Sequence, residues 1–99
     1  MYFLVYEVFP RPSHPEYGRI DGAYATLFVN QLVLKAAESA AQTLIEGEGW
    51  EIEKLEEAHP ILTDSYPPGH PSQALVAQAR ADGIVATFHR WPVGAPDEE

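Results

Sequence analysis

The chain has 99 residues, no cysteine and a formal net charge of −9, from 15 acidic against 6 basic side chains. That length suits one ordinary domain, and the missing cysteine excludes disulfides, thiolate metal ligands and thiol nucleophiles. The acidity repels a phosphate backbone, so no nucleic-acid partner is expected.

The opening MYFLVYEVFP alternates, with Tyr2, Leu4, Tyr6 and Val8 on one side and Phe3, Val5 and Phe9 on the other. This predicts a strand that needs cover on both faces. It holds Glu7 and lacks a basic start or a small-residue cleavage site, so it does not read as a signal peptide. No apolar stretch reaches the roughly 20 residues of a membrane-spanning helix. A soluble, cytoplasmic protein with no membrane partner is therefore expected. Pro10, Pro12 and Pro15 punctuate a loop that runs to Gly22. A second strand follows over Ala23 to Val29, again apolar on both faces, and Asn30 is placed to cap the next helix.

From Gln31 to about Glu46, Val33, Ala37, Ala40, Ala41 and Leu44 recur at spacings of three and four, which predicts an amphipathic helix. Gly47 or Gly49 can end it. A third strand is expected from Trp50, with a bulge or an end at Lys54–Leu55. A short edge strand near Ile61–Thr63 is conceivable in the proline-rich stretch that follows. Ser72 is expected to cap a second helix running to about Asp82, with Leu75, Val76 and Ala79 as its buried side and Gly83 as its stop. The last strand, Ile84 to Trp91, puts Ile84, Ala86 and Phe88 on one side and Val85, Thr87, His89 and Trp91 on the other. Residues 1–93 read as a single domain and 94–99 as a disordered acidic tail.

The order β-β-α-β-α-β predicts an α+β fold: a ferredoxin-like sandwich, with a mostly antiparallel sheet of four or five strands and both helices on one face. In arrangement alone it resembles the dimeric alpha-plus-beta barrels, whose sheets pair face to face; no motif accompanies the likeness, so it assigns no residue a role. Three or four aromatic side chains, each with about 150 to 250 Å² to bury, would form a bare patch larger than monomers usually carry. A homodimer is the expected remedy. The rival is a monomer whose proline-rich segments fold back over that face.

Histidines are the only groups suited to chemistry near neutral pH. His14, His59 and His70 each precede a proline, which favours extended or turn geometry, and all three are expected in loops. None stands at metal-ligand spacing from another, so neither a metal nor a cofactor is expected. His89 falls on the face expected to be bare, where Tyr24, Trp91, Phe28 and Tyr6 join it as pocket or interface candidates. No catalytic residue is assigned. The expected role is a small binding or accessory domain acting as a homodimer. One alternative is a cofactor-free enzyme of the dimeric barrel type acting on a small apolar substrate, with His89 and a tyrosine as its polar groups. The other is an acidic inhibitor or immunity-type protein that binds a basic partner.

Overall fold

The computed structural model describes residues 1–61 and 69–92. In chain order the elements are β1 (Tyr2–Pro10), β2 (Ile20–Val29), α1 (Leu34–Gly47), β3 (Trp50–Pro60), α2 (Pro71–Asp82) and β4 (Ile84–Pro92). The predicted element order therefore stands. The conceivable strand near Ile61–Thr63 falls mostly on residues outside those described, as does the tail from residue 94.

The four strands form one sheet in the order β3-β1-β2-β4, with every pairing antiparallel. Because β2 and β3 both run against β1, they are parallel to each other, and α1 links them across it. The β1–β2 register is unbroken from Tyr2↔Val29 to Val8↔Ala23. Between β1 and β3 it slips twice, skipping Glu56 and then Glu53. These are bulges, and they restart the alternation that seemed to end at Lys54–Leu55. The strand continues to Pro60 and carries His59 within it, so the expected loop position of His59 is wrong. A residue before proline is steered to extended backbone, which fits a strand end as well as a loop.

The first face of the sheet holds Leu4, Tyr6, Val8, Ala23, Ala25, Leu27 and Val29, closed by Ala37, Ala41 and Ile45 of α1 and by Trp50. Alanines on the inner stripe let α1 lie close to the larger strand side chains. The helix begins later than expected. Val33 occupies the cap position in extended backbone with no side-chain cap bond, and Asn30 instead donates its backbone N–H to the Gly83 carbonyl. Val33 is thereby exposed rather than buried.

The second face carries a smaller cluster of Phe28, Val85, Val76 and Ala79, with Met1, Phe3, Ile61 and Leu75 packed around it. Leu27 and Phe28 are neighbours on opposite sides of one strand, so α1 and α2 cover opposite faces. This corrects the expectation of both helices on one face. Apolar alternation shows that both sides of a strand need shelter, but not which helix crosses to which side. The His70 imidazole, rather than Ser72, caps α2 by accepting the Ser72 N–H, and Gly83 ends the helix at φ 92°.

Candidate functional site

Among the described residues the second face is covered only at one end. α2 shelters Phe3, Phe28 and Val85, so Phe28 is a core residue and not part of a bare surface. At the other end the residues facing out are Val5, Glu7 and Phe9 of β1, Thr26, Tyr24 and Gly22 of β2, and Thr87, His89 and Trp91 of β4. Tyr24 stands opposite His89, and Gly22 opposite Trp91. The Tyr24 and Trp91 rings meet at 5.1 Å, tilted by 56°. Val8 pairs with Ala23, which brings Phe9 level with Gly22. Tyr24 stays 41% and Phe9 39% exposed, so these large rings form a contiguous aromatic strip that nothing among the described residues covers. Glu7 lies opposite Lys54, which balances the charge at the margin.

Three of the five nominated residues, His89, Trp91 and Tyr24, thus share one open surface. Tyr6 does not join them. It faces α1, only 2% exposed, and its hydroxyl has no hydrogen bond of good geometry. Burial pushes its pKa above the ordinary 10.0, the Glu38 charge pushes the same way, and the Gln42 side chain partly offsets both. Phe9 was not nominated from the sequence, although its alternation with Val5 was visible there. The role of Gly22 was hidden because its need arises from a ring on another strand.

The proline-rich loop after β1 builds a second cluster, on the first face. His14 is buried against Trp50 at 4.4 Å between ring centres, and Trp50 stacks on Phe88 at 5.4 Å and 10°. The His14 Nδ1 accepts the Glu16 N–H at 3.0 Å, a bond that selects the Nε2–H tautomer of the imidazole. The Arg90 guanidinium lies 5.8 Å from the Trp50 ring centre and pairs with Glu16 at 2.9 Å, while Arg11 pairs with Glu51 at 2.9 Å. Both pairs are partly exposed and contribute little to stability. This loop does fold back over the sheet, but it closes the end already shared with α1 and leaves the aromatic strip open.

Among the described residues no three His, Asp or Glu side chains gather where they could hold a metal ion, and no helix is long and apolar enough to cross a membrane. A shallow groove of about 610 Å³ runs along α2, lined by His70, Gln73, Val76 and Arg80 among others; none of the nominated residues borders it. No family model, curated protein or solved structure matches the chain.

Proposed function

We propose that this chain is a small binding or accessory domain that works as a homodimer, with the open half of the second face as its working surface. The observation that carries the reading is the strip of Phe9, Tyr24 and Trp91 beside His89, aromatic and partly exposed in a chain of net charge −9. Rings of this kind dominate the energetics of interfaces when they are buried. Copies of an acidic chain repel one another in general, so association needs an apolar surface with few carboxylates. Within the strip Glu7 stands across from Lys54, and of the β3 carboxylates that border it, Glu51 opposite Phe9 is paired with Arg11 and Glu57 lies opposite Val5.

The split β2-α1-β3 unit around β1 is what the fold shares with a ferredoxin-like sandwich; we read the chain as a variant of that fold with its second helix moved to the opposite face. One observation favours the enzymatic alternative. His89 sits directly across from Tyr24, a proton-transfer group beside a phenol over an apolar floor, which would suit a small apolar substrate. A basic protein partner would instead find the acidic edge formed by Glu51, Glu53, Glu56 and Glu57.

Sedimentation equilibrium of the purified protein tests the leading reading. A dimer is expected, and Tyr24→Glu should weaken its association with an unchanged far-UV circular dichroism spectrum. A wild-type protein that stays monomeric up to millimolar concentration overturns the reading.

A further inference from the structure

The two edges of the sheet are built differently. β3 is bulged at Glu53 and Glu56, carries further charges at Glu51, Lys54 and Glu57, and ends in Pro60. Bulges, charges and proline are the devices by which natural sheets prevent pairing along an edge. β4 has almost none of them. Its register with β2 runs unshifted from Ile84↔Val29 to Trp91↔Gly22, its residues are largely β-branched or aromatic, and its proline comes last. It is also the one described strand without a carboxylate, since β1 has Glu7, β2 has Asp21 and β3 has four glutamates. Two copies of so acidic a chain meet least repulsion along this line. Among the described residues no strand pairs with its outer side.

We propose that β4 pairs antiparallel with β4 of a second copy, about a two-fold axis near Thr87 and Phe88, joining the two sheets into one. The inference rests on the homodimer reading above and specifies its geometry. A two-fold contact is self-complementary, and antiparallel neighbours turn matching faces to the same side. With the axis at Thr87 the partner's Val85 falls opposite His89; with the axis at Phe88 it falls opposite Trp91. Because α2 packs over Val85 and Phe28, the partner's α2 then stands beside the open aromatic half of the first copy. Each subunit walls the other's bare surface, and two symmetric clefts result, floored by Tyr24, His89 and Trp91.

The chain has no cysteine, so a nitroxide label on Thr87→Cys, or separately on Glu53→Cys, reports one position per subunit. Adjacent strands lie about 4.8 Å apart, so in the dimer the Thr87→Cys labels should fall within about 20 Å of each other, and the Glu53→Cys labels, on the far edges, beyond about 30 Å. A dimer with the Thr87→Cys labels beyond about 30 Å overturns the edge pairing and leaves the homodimer standing. A monomer by sedimentation, with no coupling between labels at either site, overturns both. Loss of amide protection in β4 on dilution below the dissociation constant is the expected companion result, and protection unaffected by dissociation counts against the pairing.

Discussion

Trp91 occupies the space that a β-carbon on Gly22 would need: such an atom would lie 2.5 Å from the indole Cζ2 and 3.1 Å from the Val8 carbonyl oxygen. Glycine here is a seat for a ring on the neighbouring strand. Gly22→Ala should displace the indole and cost about 1–3 kcal/mol, the usual range for overpacking. A lower urea midpoint and an altered near-UV circular dichroism spectrum are the expected readouts; unchanged values would show that the seat is not tight.

Phe28 and Tyr24 lie on the same face of β2, yet they should respond oppositely to substitution. Phe28 is 2% exposed and meets Phe3 at 5.3 Å beneath α2, so Phe28→Ala should destabilise the fold by about 3–5 kcal/mol. Tyr24→Ala, at an exposed ring, should leave the stability of the isolated subunit within about 1 kcal/mol of wild type. Denaturant unfolding below the dissociation concentration separates the two.

Tyr6 makes stability depend on alkaline pH. Its folded pKa is raised above 10.0 by burial and by Glu38, so the folded chain holds the phenolic proton more tightly than the unfolded chain does. The stability linked to that proton is complete below pH 10 and is lost as pH rises through the folded value. Tyr6→Phe should remove this dependence and leave stability at pH 7 nearly unchanged, because the hydroxyl has no well-formed hydrogen bond to lose. Thermal melts between pH 8 and 11 provide the comparison.

The cap of α2 is an imidazole, with the His70 Nδ1 accepting the Ser72 N–H at 3.0 Å. His70→Ala should cost about 1 kcal/mol, and His70→Asn, which can accept the same bond, should recover most of it. Amide exchange in the first turn of α2 is the direct readout.

The order of elements along the chain and the strand faces were legible because a period of two survives wherever the register is unbroken, as from Tyr2 to Phe9 and from Ile84 to Trp91; the order of strands within the sheet was not. β3 was read short because the bulges at Glu53 and Glu56 each reset the phase. The start of α1 was misplaced because Asn30 has the chemistry of a cap, whereas Val33, at φ −120° and ψ 130°, holds the chain extended until Leu34. The grouping of His89, Trp91 and Tyr24 could be read from alternation and pairing. The separation of Tyr6 and Phe28 from that group could not, since it depends on which face each helix crosses, and α2 offers only Val76 and Ala79 as fully buried side chains. The same local rule that misplaced His59 explains His14 and His70. Both stand before proline, and both turn Nδ1 toward the N–H two residues on.

The sheet keeps one of its two indoles on either side: Trp50 is sealed with Phe88 and His14, and Trp91 is seated on Gly22 at the opposite surface. Fluorescence can therefore tell the two sides apart. A soluble quencher should reach the emission of the outer indole and spare that of the inner one, and replacing either tryptophan by phenylalanine would leave a single lamp whose dimming reports which side an arriving molecule has touched.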